Sequence, residues 1–183
     1  MLNKKRQVIL IFGKTGTGKS TLAKKLMKEY TRKIIIDTQI EYRDGIIFYN
    51  YNSLRIWLMK NYDNEKNFSL ILRFQDDNEL EQFFNLAYEL QNYVLVMEEA
   101  ELYISPFAKK HSFLRLVRYG RHKNISLIGI ARRASELSSD FQAQVNIIYT
   151  FKQTIPLDVE KMERLGLFGV QNLPEHSYIK KDF

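Results

Sequence analysis

Apolar positions along the chain fall into short runs, separated by longer stretches with helical spacing. The runs "QVILIF", "KIIID", "SLILRF", "YVLVM", "ISLIGIA" and "VNIIYTF" are β-rich, and several are apolar at nearly every position. Strands buried on both faces of a parallel sheet require that pattern. Between the runs, apolar residues recur three and four apart near residues 19–30, 53–61, 78–92, 112–123 and 157–165, which predicts amphipathic helices. "GIIFYN" reads as a short strand or a loop. The polar tail after Leu173 is expected to cover a sheet edge. Strands alternating with helices almost from end to end predict an α/β fold around a mostly parallel sheet.

Length and composition narrow this picture. The 183 residues suffice for one full core and are too few for two ordinary ones, so a single domain over residues 1–183 is expected. The polar stretch "NYDNEKN" is long enough for a connection only. Twenty-eight Lys plus Arg against twenty-one Asp plus Glu gives +7, a balance that favours phosphate-bearing partners without choosing among them. No cysteine is present, which excludes disulfides and thiolate metal sites and fits a reducing, cytoplasmic compartment. Three scattered histidines do not compose a metal site. The basic start "MLNKKRQVILIFG" imitates a signal peptide, but its apolar run is shorter than the roughly seven to fifteen residues of a secretory core. No stretch approaches the roughly eighteen apolar residues of a membrane span. Membrane insertion is therefore not expected, and any membrane contact would come through a partner.

Candidate chemistry begins at "VILIFGKTGTGKSTLAKKL". Gly13, Gly18, Lys19 and Ser20 satisfy G-x-x-x-x-G-K-[ST], with a predicted strand before and a predicted helix after. Glycines permit a tight turn that aims successive backbone N–H groups inward, and the following helix adds the positive end of its dipole. Gly13, Lys14, Thr15, Gly16, Thr17, Gly18, Lys19, Ser20 and Thr21 are accordingly the expected nucleotide-binding residues. Lys19 is expected to bridge the β- and γ-phosphates, Ser20 to ligate Mg²⁺, and Thr21 to assist near the α-phosphate. Lys14 reads either as a solvated side chain or as a second phosphate ligand. The cofactors implied are ATP and Mg²⁺.

A phosphate loop binds a nucleotide without saying what becomes of it. "YVLVMEEAELY" puts Glu98 and Glu99 at the tip of a buried strand, where ligands of open α/β sheets collect. Because consecutive strand residues point opposite ways, the two carboxylates are expected to divide the work. Glu98 is expected to hold Mg²⁺ through water, and Glu99 to polarise the attacking water. Against this stands the reading of "EEAE" as an exposed acidic first turn of a helix.

Taken in order, these segments resemble the HerA/FtsK superfamily of ring-forming, DNA-translocating ATPases, which includes viral genome-packaging ATPases. "GKTGTGKST" is similar to its phosphate loop, "IIIDTQIEY" to its Asp-x-x-x-Glu-Tyr segment, and "VLVMEEA" to its Walker B strand. "RYGRHKNISLIGIARRASEL" resembles the helix, basic Gly-Arg turn and sensor strand, and "IIYTFKQTIPLDVEKMERLG" the closing strand and Asp-bearing helix. The resemblance implies a P-loop NTPase three-layer sandwich of ASCE/RecA-like type, with the sensor strand between the phosphate-loop and Walker B strands. It also implies a homo-oligomeric ring, commonly a hexamer, in which a basic residue of one subunit completes its neighbour's site. Arg121 matches that basic position best and Arg118 second. Members often carry Gln at the end of the sensor strand; Arg132 stands there, followed by Arg133, and its target is open among its own site, a neighbour's site and nucleic acid.

His111, Arg115, Arg118 and His122 fall near one helical stripe, which reads equally as a solvated face and as a subunit contact. Lys109 and Lys110 are candidates for lining a pore and touching DNA. The leading reading is a motor subunit that moves DNA, most specifically a viral genome into its capsid with capsid or assembly proteins as partners, in a host cytoplasm or on a virion. A zonula-occludens-toxin-like phage assembly ATPase is the nearby alternative. A small-molecule or nucleotide kinase is the alternative of another class, disfavoured by Glu99, and a non-catalytic nucleotide-binding scaffold is a third. No Asn-Lys-x-Asp motif supports a GTPase.

Overall fold

The computed structural model describes residues 5–105 and 111–183. Eight strands form one sheet: β1 (Val8–Phe12), β2 (Arg32–Ile36), β3 (Ile46–Phe48), β4 (Phe68–Leu72), β5 (Tyr93–Met97), β6 (Ile125–Ala131), β7 (Ile147–Phe151) and β8 (Tyr178–Asp182). Their spatial order is β3-β4-β2-β5-β6-β1-β7-β8. All pairs are parallel except β7 with β8. β1, β5, β6 and β7 are buried at every position, as their unbroken apolar sequences require.

The helices are α1 (Lys19–Met27), α2 (Tyr51–Asn61), α3 (Asp77–Glu89), α4 (Glu101–Ile104), α5 (His111–Tyr119), α6 (Ser139–Gln142) and α7 (Pro156–Arg164). The sheet divides the core in two. On one face Leu54, Phe83, Phe84, Phe113, Leu116 and Met162 pack against alternate strand residues such as Leu10, Leu70 and Leu95. On the other, Leu22, Ala23 and Met27 of α1, with Tyr42, cover Ile9, Ile35, Val94 and Ile128. The result is the expected three-layer α/β sandwich, and β6 lies between β1 and β5 as the resemblance implied.

Several boundaries differ from expectation for local reasons. The helix expected over 112–123 is α-helical only to Tyr119 and tightens into a 3-10 turn at Gly120–Lys123, where buried Gly120 sits against Ile125. His122 therefore leaves the stripe with Arg115 and Arg118. "GIIFYN" contains the short strand β3. The polar tail contributes β8, which pairs along β7 and forms the sheet's edge. Its exposure alternates along "YIKKD", as one face of an edge strand dictates.

Candidate functional site

Because β1, β5 and β6 are parallel neighbours, the chain segments leaving their carboxyl ends emerge side by side. The loop after β1 enters α1 at Gly18, whose φ of 102° is left-handed and suits a residue without Cβ. Thr17 N–H donates to the Lys14 carbonyl at 3.4 Å, and the Thr17 hydroxyl donates to the same oxygen at 2.8 Å. The buried Lys19 ammonium also donates to that carbonyl, at 2.8 Å. Among the described hydrogen bonds, none takes the amide N–H of Gly16, Gly18, Lys19 or Ser20. Four free donors and an ammonium thus converge on one loop, a donor set that fits a polyphosphate. Burial lowers the pKa of Lys19, with Arg132 working in the same direction and the carboxylates Glu98, Glu101 and Glu41 opposing it.

The acidic segment departs from its sequence reading. β5 ends at Met97, and residues 98–100 form a turn in which Glu99 takes φ 50°. Strand alternation no longer applies there. Glu98 and Glu99 line the same cavity instead of pointing to opposite faces. The turn is pinned on both sides: Glu98 N–H donates to Ile36 O at 3.1 Å and Ala100 N–H to Ile130 O at 2.7 Å. A Cβ at Gly129 would lie 3.0 Å from Ala100 Cβ and 2.8 Å from Leu10 Cδ2, so only glycine lets the turn sit this close to β6. Glu101 opens α4, as the acidic-turn reading had it, but it is buried and lines the cavity too.

The cavity measures about 290 Å³ and is bounded by the phosphate loop on one side and Glu98, Glu99, Glu101 and Arg132 on the other. Thr15, Gly16, Gly18, Lys19, Ser20 and Thr21 line it; Gly13 lies beneath it, buried. Lys14 and Thr17 face the opposite flank of the loop.

The carboxylates have different neighbours. Glu98 is 3% exposed and accepts a hydrogen bond from Tyr42 Oη at 2.9 Å. Burial pushes its pKa up to about 7, with Glu41 and Asp37 adding to the rise while the Tyr42 bond and Lys19 oppose it. Burial likewise raises the Tyr42 hydroxyl, which stays a donor. Glu99 is ion-paired to Arg132 Nη2 at 3.0 Å, and Arg132 Nε reaches Glu101 Oε1 at 3.1 Å. Glu101 Oε2 is buried without a described partner. Arg132 is raised by its hydrogen bond to Glu101 and by the charges of Glu101 and Glu99. Within the single chain, Arg132 is thus held between two carboxylates of its own cavity. Arg133 turns away to Asp158 of α7 at 3.1 Å and anchors the loop after β6.

Tyr42 joins the site through Glu98, a role that its own sequence pattern does not reveal. Asp37, buried at the end of β2, accepts from the amides of Glu41 and Tyr42 at 2.9 and 3.3 Å and pairs with Arg73 at 2.9 Å. Arg73 also donates to Tyr42 O at 2.7 Å. The Asp-x-x-x-Glu-Tyr segment is thus a loop held by its own first residue, and it aims its last residue at Glu98. Arg73, at the end of β4, carries no local signal of this role.

Arg118 and Arg121 are exposed and lie at the other end of the sheet. The seven residues of β6 separate the Gly120 turn from the cavity by about 20 Å. Arg6 clamps this turn, donating to Ile125 O at 2.8 Å and Val117 O at 2.6 Å. Arg115 lies over the Tyr88 ring at 3.8 Å. Lys109, Lys110 and the side chain of His111 lie outside the described residues. Among those described, no group of three or more His, Cys, Asp or Glu is arranged to hold a metal alone. Mg²⁺ sites commonly combine one or two carboxylates with substrate phosphates, which the oxygen donors expected to hold the ion, Ser20 and Glu98, fit.

Comparison with known proteins agrees with this geometry. A family model described as an AAA domain matches residues 2–136. A search of curated proteins gave no match. The genome packaging NTPase B204 from Sulfolobus turreted icosahedral virus 2, in complex with ATP-gammaS, superposes with a TM-score of 0.78 at 17% identity, covering 100% of this chain and 93% of that one. The N-terminal domain of zonular occludens toxin from Neisseria meningitidis gives 0.56 at 12% identity, over 98% and 94% of the two chains. The pCW3 conjugation coupling protein TcpA gives 0.64 at 18%, over 99% of this chain and 58% of that one. The shared architecture is the P-loop NTPase fold. No described helix is long and apolar enough to cross a membrane.

Proposed function

The chain belongs to the AAA domain family of P-loop ATPases, and from that premise we propose that it is the motor subunit of a ring that hydrolyses ATP to move DNA, most specifically to package a viral genome. One observation supports this above the rest: the phosphate loop and the acidic turn line a single cavity. The likeness to packaging NTPase structures supports the biological assignment. The +7 charge suits a nucleic-acid cargo. On this reading the subunit works in a host cytoplasm, at a capsid under assembly.

In the proposed reaction the free amides of the loop bind the β- and γ-phosphates, and Lys19 exchanges the Lys14 carbonyl for phosphate oxygens. Ser20 and, through water, Glu98 would hold Mg²⁺, which when bound neutralises charge on the phosphate oxygens. Glu99 takes the proton of the attacking water as the water oxygen bonds to the γ-phosphorus and the bond to the ADP oxygen breaks. Arg132 sets the position of Glu99 and acts within its own subunit. Arg121, far from its own cavity, acts on a neighbour's, with Arg118 beside it on the same surface.

The test is ATP turnover with and without double-stranded DNA, combined with sizing by sedimentation in the presence of a non-hydrolysable analogue. The expected result is DNA-stimulated hydrolysis by a ring-sized species. A strict monomer with DNA-independent turnover contradicts the motor reading. Phosphate transfer to a small acceptor with little hydrolysis would favour the kinase.

A further inference from the structure

Parallel neighbours in a sheet are usually joined by a helix, because the chain must return from the carboxyl end of one strand to the amino end of the next. Residues 37–45 make that return from β2 to β3 without one. Tyr42 of this bare loop packs on Ile35 and Ile71, on the same face of the sheet that α1 covers. A thin loop therefore lies beside α1 where a second helix would otherwise sit. Between the two remains a groove of about 520 Å³, within the size range of small-ligand sites.

Its lining is rich in cations. Lys24 and Lys28, one turn apart, form the wall on the side of α1, and Arg43 faces them from the loop. Lys33 rises from the floor, and its position is the least expected of the four. β2 is an inner strand between β4 and β5, and Ile35, two residues on, lies in the apolar core beneath α1. Among the described ion pairs and side-chain hydrogen bonds, none engages the ammonium of Lys28 or Lys33 or the guanidinium of Arg43. Lys24 is engaged: it donates to Glu41 O at 3.0 Å and lies 4.9 Å from the centre of the Tyr42 ring. Directly across the β2–β4 ladder from Lys33 stands Ser69, which also lines the groove and whose hydroxyl is buried without a described partner.

Two carboxylates border the same space. Glu41 lines the reaction cavity as well, and its charge acts there on Glu98 and Lys19. Asp44 is then left to face the cations. Uncompensated cations around a concavity with a spare hydroxyl on its floor are suited to a compact oxyanion. We propose that this groove is a second anion site, distinct from the phosphate loop, that takes a phosphate group between Lys28, Lys33 and Arg43. The group is carried by a free phosphate compound or by the backbone of a polynucleotide, whose phosphate chemistry is shared. The site holds whether or not the chain hydrolyses ATP. It lies behind Tyr42, which lines the groove while its hydroxyl reaches Glu98 in the reaction cavity.

The test follows the backbone amide NMR resonances of Lys33 and Ser69 during titration with inorganic pyrophosphate. Both should shift, with an apparent affinity that falls at least about tenfold in Lys33→Met and in Lys28→Gln and stays within about twofold in Lys19→Ala. Lys28 is exposed, and glutamine keeps its helix propensity, so Lys28→Gln carries the test if Lys33→Met does not fold. Absent shifts, an affinity unchanged in Lys28→Gln, or shifts abolished by Lys19→Ala would overturn the site, the last by tracing the signal to the phosphate loop. Binding of oligo(dT) as a function of salt then separates the two sources. If the backbone supplies the phosphate, Lys28→Gln combined with Arg43→Gln should reduce the slope of log K against log salt by about 1.4. An unchanged slope assigns the groove to free phosphate compounds.

Discussion

The two ends of the sheet spend their charges differently. At the carboxyl end, Glu99 and Glu101 pair with Arg132, Asp37 with Arg73, and Glu98 with a tyrosine hydroxyl, all around or beside one cavity. At the amino end, Arg6 spends its guanidinium on the carbonyls of Val117 and Ile125, and burial together with Arg121 lowers its pKa. Arg121 itself stands at the surface. The contrast teaches that the acid machinery is assembled within the chain, while the best-matched basic residue is presented outward, about 20 Å from its own cavity. A single chain on this account owns a nearly complete site and lends its arginine to another.

The comparison breaks first at Arg121. Arg121→Ala should lower the hydrolysis rate about 10³-fold or more, the effect of losing a trans-acting arginine. Rings mixed with subunits that carry Arg121 but lack Glu99 should regain activity. An additive, never complementing mixture would return Arg121 to a structural role.

The carboxyl end is probed next through Asp37. Asp37→Ala strands the amides of Glu41 and Tyr42 and unpairs Arg73, and should cost about 3–5 kcal/mol. A lower urea midpoint at unchanged slope is the expected readout. A midpoint equal to the wild type would show that the 37–42 loop is held by something else.

Glu98 gives the smallest and most specific effect. Its folded pKa of about 7 lies above its ordinary value of 4.5. Between these values the unfolded chain has already released the proton that the folded chain keeps, so the folded state gains relative stability on the acid side. That contribution is fully present below about 4.5 and is lost as pH rises through about 7. In chelator, without nucleotide, about 1–3 kcal/mol should disappear across this window. Glu98→Gln should flatten the profile. A profile with the same slope in that variant would place the titration elsewhere.

Much of this architecture was legible in the sequence. Apolar runs located six core strands, and the spacing of Gly13, Gly18, Lys19 and Ser20 located the loop, because both signals are local. The chain could not reveal that Glu98 and Glu99 share a cavity. That depends on β5 ending at Met97 and on a left-handed Glu99 pinned between β2 and β6. Nor could it assign Tyr42, whose partner Glu98 lies fifty-six residues away and is reached only through Asp37 and Arg73. Arg132 illustrates the same limit: its place at the strand end is legible, and its grip on Glu99 and Glu101 is a product of sheet order. β8 carries no strand signal in the sequence, because a polar edge strand lacks the apolar alternation that marks a buried one.

The account's central claim is that Glu99, across the cavity from Lys19, activates the water that cleaves ATP. Single-turnover cleavage of γ-labelled ATP by Glu99→Gln, alongside equilibrium binding of the same nucleotide, tests it most directly. The prediction is a rate about 10²–10⁴-fold below the wild type with ATP affinity retained. Wild-type cleavage in that variant would contradict the assignment of the base.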